Sequence, residues 1–332
     1  MKKYKICKIL LVILAIFLCV AFYELLGTCV AYKKQPEVSN TTKKETKNES
    51  WNECSENTER AVIIEKNPEA LLQRVRLIKN AKKEIILSTF AFQSDESGKL
   101  ILGALHDAAD RGVHIRLLVD GMESWIDMEG NPYFYGLSSH ENVEIKLYNK
   151  ANPLKPWKMM GRMHDKYLIA DGKRYILGGR NTYNYFLGDF PGHKNYDRDV
   201  LVVCDEPEKE NSVNQLLEYF ETIWEQEDSD YFHDNKKLAN RKSVKNAVLE
   251  LQNGYQKYFE ENKERICDTD YTDETFETEK IALVSNPIHT GSKEPVVWYQ
   301  LGELMKNAKN RVKIHTPYII CNDMMYNTWE EI

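Results

Sequence analysis

A helix-to-strand unit that occurs twice is the sequence feature that most limits how this chain can fold. The segment LIKNAKKEIILSTFAF, residues 77–92, aligns without gaps with LMKNAKNRVKIHTPYI, residues 304–319, and six of the sixteen aligned residues are identical. Internal repeats fix an architecture before single residues do. We interpret this repeat as a duplicated lobe whose second copy starts near residue 281.

Around the first copy, helical and strand-like patterns alternate. Residues 68–83 and 98–112 have the apolar spacing of helices, whereas residues 84–92, 113–121 and 143–149 are short apolar runs suited to buried strands. This alternation predicts an α/β sandwich with a mixed sheet flanked by helices.

Composition sets broad limits on the function. Hydrophobic residues make up 42% of the 332-residue chain and charged residues 29%, which is typical of a globular protein. The net charge of -6 argues against a generally basic nucleic-acid binder. Seven scattered cysteines without a CxxC pair indicate neither a disulfide scaffold nor a zinc site.

The N-terminus has the pattern of a membrane segment. Four lysines lie within MKKYKICK, and fifteen uncharged residues follow, residues 9–23. The excess of lysines before the run predicts a single-pass anchor with a cytoplasmic N-terminus and the remaining chain on the extracytoplasmic side. A cleaved signal peptide that ends near Ala31 is the alternative, and both interpretations export the domain.

We therefore predict one lobe and the start of a second, preceded by an N-terminal membrane anchor. If the second lobe keeps the spacing between the two aligned segments, a second copy of the motif described below would begin near position ~391, outside this sequence. The predicted segments are an anchor (1–32), a polar linker (33–60), a first lobe (61–230), a helical and acidic connector (231–280) and the start of a truncated second lobe (281–332).

The stretch RMHDKYLIADGKRYILGGRN, residues 162–181, has two basic groups in an apolar run. A two-residue Asp-Gly hairpin turn would place His164 opposite Gly179. His164, Lys166, Gly179 and Asn181 would then share one face, with a hollow at the glycine beside the imidazole. Because burial of unpaired charge is unfavourable, we expect a phosphate-sized anion as the negative partner of this face.

The motif residues also resemble a known signature. They read HxKx4Dx6GGxN, and the members are His164, Lys166, Asp171, Gly178, Gly179 and Asn181. This pattern resembles the signature of the phospholipase D superfamily. The context GGRNTYNYF followed by DRDVLVV is most similar to its cardiolipin synthase branch. The resemblance covers roughly residues 61–224 and resumes at Ile281.

The resemblance implies an active site that needs neither a metal nor a cofactor, formed where two such lobes meet. One histidine forms a phosphohistidine intermediate and the other protonates the leaving alcohol. Water as acceptor gives hydrolysis, and a lipid hydroxyl gives phosphatidyl transfer. His164, Lys166 and Asp171 are then the catalytic residues.

Other motif positions receive further roles. Gly179 and Asn181 would bind the substrate phosphate, and Asp199 would support the site. Each of these residues also has a purely structural interpretation. Lys166 could lie at a strand edge with its ammonium extended to solvent, and Asp171 could only stabilise the turn. Asn181 could cap the end of a strand, and Asp199 could lie at a solvated strand start.

These expectations favour a phospholipase or phosphatidyltransferase that acts on an anionic phospholipid such as phosphatidylglycerol. A nucleic-acid phosphodiesterase of the same superfamily is the alternative, and the negative charge and the anchor speak against it. A non-catalytic remnant or binding module is a third interpretation. Since the sequence contains HxKx4D once, we expect little turnover from this chain alone. A homodimer that pairs two His164 sites is conceivable, but a partial second lobe would obstruct it.

The loop NKANPLKPWKMMGRM, residues 149–163, combines basic residues with Trp157. Such a composition suits an anionic lipid surface, stacking on single-stranded nucleic acid, or a plain exposed loop.

Overall fold

The computed structural model describes residues 2–48, 59–207, 210–233, 236–316 and 318–332. The chain forms two compact units. The smaller unit comprises Met1–Cys54, Pro153–Gly161 and Leu283–Ile332, and the larger comprises Ser55–Asn152 and Arg162–Ala282.

The larger unit is built on one mixed sheet. Within the described residues its strands are β1 (Arg60–Ile64), β2 (Glu84–Thr89), β3 (His114–Asp120), β4 (Val143–Tyr148), β5 (Tyr167–Ala170), β6 (Arg174–Gly178), β7 (Asp199–Val203), β8 (Ser229–Tyr231) and β9 (Phe276–Glu277). Their order is β8-β4-β3-β2-β5-β6-β7-β1-β9. Strands β2, β3 and β4 are parallel neighbours, and the remaining pairs are antiparallel.

The described helices are α1 (Lys2–Tyr32), α2 (Asn40–Asn48), α3 (Asn67–Asn80), α4 (Glu96–Asp110), α5 (Gly121–Asp127), α6 (Pro132–Ser138), α7 (Ser212–Trp224), α8 (Lys242–Glu261), α9 (Lys263–Cys267), α10 (Val296–Lys306) and α11 (Asp323–Glu331). Helices α3 to α9 belong to the larger unit, and the other four belong to the smaller one.

The central strands are buried on both faces. Neighbouring residues on a strand point to opposite faces of a sheet. Ile85 and Ile86 on β2 are both at most 1% exposed, and Leu117 and Leu118 on β3 are completely buried. Both faces are therefore covered, and the predicted α/β class with a mixed sheet flanked by helices is confirmed.

Helix α1 is the main element of the smaller unit. Its stretch Tyr4–Tyr32 is long and apolar enough to cross a membrane, by length and composition. Helix α2 lies in the segment predicted as a polar linker. Residues 49–58 of that linker, which include Cys54, lie outside the described residues.

The second copy of the repeat is only partly regular. Helix α10 corresponds to α3 in the first copy. Residues 311–316, which correspond to β2, form no strand. A strand is stable only where neighbouring strands satisfy its backbone N–H and C=O groups, and the described part of this unit provides no such neighbour.

Candidate active site

The motif histidine and lysine lie in an extended segment immediately before β5. Sequence reasoning placed both inside a strand, but the strand starts only at Tyr167. The N–H of Gly178 donates to the carbonyl of Lys166 at 3.1 Å, so this segment still lies beside the end of β6.

The predicted hairpin register is wrong by one residue. The strands pair Tyr167 with Leu177 and Ala170 with Arg174, which leaves three connecting residues, 171–173, instead of two. A shift of one residue reverses the face on which a strand residue lies. The register therefore does not place Gly179 opposite His164, and it does not create the predicted common face.

The predicted hollow at Gly179 is also wrong. A Cβ atom at this position would lie 2.0 Å from Oδ2 of Asp197, so a carboxylate fills the space that the missing side chain leaves. Glycine is required there because it lets Asp197 approach the backbone closely.

Lys166 is the buried cation of the site. Its residue is 5% exposed, and its Nζ donates to the carbonyl of His164 at 2.6 Å. Burial lowers the pKa of the Lys166 ammonium to about 8, while the charges of Asp165 and Asp197 act in the opposite direction. Within the described residues Lys166 forms no ion pair with a carboxylate.

His164 presents an accessible imidazole. Its ring lies against Phe90, with 4.7 Å between ring centroids, and the residue is exposed. Partial burial lowers the pKa of the imidazole, and the neighbouring Lys166 charge lowers it further. The neutral, nucleophilic form therefore predominates at neutral pH.

Phe90 and Ala91, just after β2, bring the motif residues together. The Phe90 ring contacts His164 and lies 5.4 Å from Nζ of Lys166. The N–H of Ala91 donates to Oδ1 of Asn181 at 3.2 Å, and Asn181 is 7% exposed. The structure thus places His164, Lys166 and Asn181 around one short segment, which sequence reasoning missed because its position depends on contacts distant in sequence.

Asp120 holds the chain that leads to His164. This fully buried carboxylate accepts the N–H of Met163 at 3.0 Å and pairs with Nη1 of Arg162 at 3.0 Å. It also caps α5 by accepting the N–H of Met122. Burial raises the pKa of Asp120, and Arg162 opposes that rise. The signal for this residue in the sequence was an acidic residue at the end of an otherwise apolar strand.

Asp171 lies in the hairpin turn, at the opposite end of β5 from His164. Its φ of 55° is in the left-handed region. Its carboxylate accepts the backbone N–H groups of Lys82, Lys83 and Glu84 at distances of 2.7 to 3.1 Å. This geometry ties the turn to the start of β2 and engages the Asp171 carboxylate with backbone N–H groups.

Asp199 is the centre of a buried ion cluster. Its Oδ2 lies 2.9 Å from Nη1 of Arg74 and 3.2 Å from Nη1 of Arg180, and all three side chains are at most 5% exposed. The alternative of a solvated strand start is therefore wrong. Arg180 also donates to the carbonyl of Ile64 at 3.1 Å and to that of Asp197, so it fixes the backbone between Gly179 and Asn181.

No group of three or more His, Cys, Asp or Glu side chains in the described ranges could hold a metal ion.

Residues 74–224 match the family model described as Cardiolipin synthase, PLD-like domain. An uncharacterized protein of Helicobacter pylori J99 is 30% identical over 212 residues, which cover 59% of this chain and 39% of that protein. Cardiolipin synthase C of Escherichia coli K12 is 29% identical over 171 residues, covering 47% of this chain and 34% of that enzyme.

Among solved structures, NucT from Helicobacter pylori matches with a TM-score of 0.41 and 18% identity, over 52% of this chain and 99% of that chain. The matched part of the chain covers about two fifths of the length of the Helicobacter pylori protein and about a third of the length of the Escherichia coli enzyme.

The matching model identifies residues 74–224 as a phospholipase D-like domain. Within the phospholipase D superfamily, the domain is homologous to cardiolipin synthases and falls in their branch. The predicted family is confirmed.

Proposed function

We propose that the chain carries a phosphodiester-transfer site for phospholipids, with His164 as nucleophile and Lys166 as the clamp for the phosphate. One observation carries the proposal: the buried ammonium group of Lys166, which has no carboxylate ion partner among the described residues, lies beside an accessible imidazole whose pKa is lowered. Such a cation attracts an anion of phosphate size, and the amide of Asn181 is an additional hydrogen-bond donor for the phosphoryl oxygens.

The reaction has two steps. In the first, a ring nitrogen of His164 attacks phosphorus, a P–N bond forms, and the P–O bond to the leaving alcohol breaks as that alcohol takes a proton. In the second, the hydroxyl of water or of a lipid attacks phosphorus and releases its proton. The P–N bond then breaks, which restores His164. Lys166 neutralises the phosphoryl oxygens in both steps.

The leaving alkoxide needs a proton donor in addition to His164. The sequence contains one HxKx4D motif and therefore one motif histidine. That this chain alone turns over little substrate stays a prediction. Asp171 and Asp199 act in this proposal as positioning residues, because their carboxylates bind backbone amides and buried guanidinium groups respectively.

Three features favour a phospholipid over a nucleic acid as substrate. The domain is similar to cardiolipin synthases, the net charge is -6, and α1 is apolar enough to lie in a membrane. We accordingly place the protein in the membrane through α1, with the catalytic unit on the extracytoplasmic side, and phosphatidylglycerol as an anionic donor.

A single-turnover assay tests this substrate assignment. Full-length protein in molar excess is mixed with vesicles of phosphatidylglycerol labelled in the glycerol headgroup, and in parallel with end-labelled single-stranded DNA. We expect slow headgroup release, with water as the proton donor, that His164→Ala abolishes and that His114→Ala, a change of a histidine on β3, leaves unchanged. Cleavage of DNA without headgroup release would contradict the lipid assignment.

A further inference from the structure

In the smaller unit, the loop Pro153–Gly161, called here the 153–161 loop, packs against the C-terminal part of α1. The hydroxyl of Tyr23 donates to the carbonyl of Leu154 at 3.2 Å, and Oγ1 of Thr28 donates to the carbonyl of Pro156 at 3.1 Å. These bonds hold the loop backbone against the last two to three turns of the helix.

Gly27 makes this contact close. A Cβ atom at Gly27 would lie 2.5 Å from Cγ and 2.9 Å from Cβ of Pro156, which is closer than real side chains approach. A helix with glycine at its contact face lets another segment approach its backbone. The fit between loop and helix therefore depends on this residue.

The outward side of the 153–161 loop is apolar with basic neighbours. Leu154 is 76% exposed, Met160 62% and Trp157 45%. Lys155 is exposed, and Lys158 is partly exposed. Single exposed apolar residues are ordinary, but three within seven positions form a patch, and a tryptophan beside lysines is typical of the boundary between acyl chains and headgroups.

The position of the contact along α1 agrees with that boundary. At 1.5 Å per residue, Tyr23 lies about 22 Å and Thr28 about 30 Å along the helix from Lys8. The hydrocarbon core of a bilayer is about 30 Å thick. With Lys8 at one membrane surface, the 153–161 loop thus lies at the level where the other surface begins.

We propose that the 153–161 loop is a membrane-interface element. Leu154, Trp157 and Met160 enter the outer acyl region, and Lys155 with Lys158 binds anionic headgroups. This inference rests on the proposed membrane location of α1.

Photo-crosslinking of the full chain in vesicles tests the proposal without requiring activity. The probe p-benzoylphenylalanine is placed at position 154 or 160, and vesicles contain phosphatidylglycerol and phosphatidylethanolamine. Position 14, in the middle of α1, reports on the membrane location of the helix, and position 249, an exposed leucine on α8, is the matched control. Peptide mass spectrometry then identifies covalent phospholipid adducts.

We expect phospholipid adducts at positions 14, 154 and 160 and at least tenfold fewer at 249. Adducts at 14 without adducts at 154 and 160 overturn the loop proposal while the anchor stands. Absence of adducts at 14 overturns the membrane location and, with it, the loop proposal.

Two substitutions separate specific docking from general proximity. Gly27→Leu should lower the adduct yield at 154 at least fivefold because the larger side chain displaces Pro156, whereas Gly254→Leu, at a site without close neighbours, should leave it unchanged. Lys155→Glu should lower the yield in phosphatidylglycerol vesicles and not in phosphatidylcholine vesicles. Equal yields for Gly27→Leu and the wild type would contradict the proposed fit, and an equal effect of Lys155→Glu in both lipids would contradict headgroup binding.

Discussion

At the scale of single residues, Lys166 combines a requirement for function with a penalty for folding. Its ammonium has a pKa of about 8 in the folded chain, against an ordinary value of 10.5. Each pKa unit corresponds to 1.36 kcal/mol, so keeping the charge buried destabilises the fold by about 3 kcal/mol. Because the folded pKa is the lower one, the penalty is complete below about pH 8. It fades as the pH rises towards 10.5, where the unfolded chain also loses the proton.

Lys166→Met should therefore stabilise the larger unit at pH 7 while it removes the clamp. The substitution also removes the hydrogen bond to the His164 carbonyl, and this loss reduces the gain in the free energy of unfolding by about 1 kcal/mol. We expect a net gain of about 2 kcal/mol in the free energy of unfolding at pH 7, shrinking towards zero or below at pH 10.5. Urea denaturation followed by tryptophan fluorescence at both pH values measures the change.

The exposed Lys173 provides the control for that measurement. Lys173→Met should change the free energy of unfolding by less than about 0.5 kcal/mol at either pH. A Lys166→Met protein that is less stable than the wild type at pH 7 would contradict a net penalty for the buried charge.

At the scale of elements, two carboxylates hold the two ends of the motif strand. Asp120 binds the backbone of Met163 and the side chain of Arg162 on the side that leads to His164. Asp171 binds three consecutive backbone N–H groups at the turn. The short strand β5 is thus fixed at both ends by interactions with other parts of the chain, which keeps the motif side chains in place.

Asp171→Ala should destabilise the fold without removing the chemistry of the site. The substitution leaves three N–H groups without their acceptor, and we expect a loss of about 2 to 4 kcal/mol in the free energy of unfolding. The protein that remains folded should react through His164 as the wild type does.

Asp205→Ala is the comparison for this loss, because Asp205 forms an exposed ion pair with Arg174 and should contribute less than about 1 kcal/mol. Unchanged stability of Asp171→Ala together with complete loss of reaction would indicate direct participation in proton transfer instead of turn support.

At the scale of the whole molecule, local patterns predicted the elements, and contacts distant in sequence decided the site. The predicted strand segments 84–92, 113–121 and 143–149 contain β2, β3 and β4 because buried parallel strands read as apolar runs. The hairpin register failed because residues 171–173 form a longer turn, held by N–H groups about ninety positions away.

The surroundings of the motif were beyond sequence reasoning for the same reason. Nothing local in the sequence indicates that Phe90 lies against His164 or that the Asp197 carboxylate fills the space at Gly179. The motif spacing identified His164, Lys166 and Asn181, and the structure places these three around residues 90–91.

The central claim is that His164 is a nucleophile towards phosphodiesters beside the Lys166 clamp. Bis(p-nitrophenyl) phosphate tests it directly, because p-nitrophenolate leaves without a proton and the first step then needs no second histidine. The measurement is the rapid release of nitrophenolate by the full chain, followed by mass spectrometry of the peptide that contains residue 164. We predict a burst of about one equivalent and a nitrophenyl phosphoryl adduct on His164, both absent in His164→Asn. No burst, or a burst that persists in His164→Asn, would contradict the account.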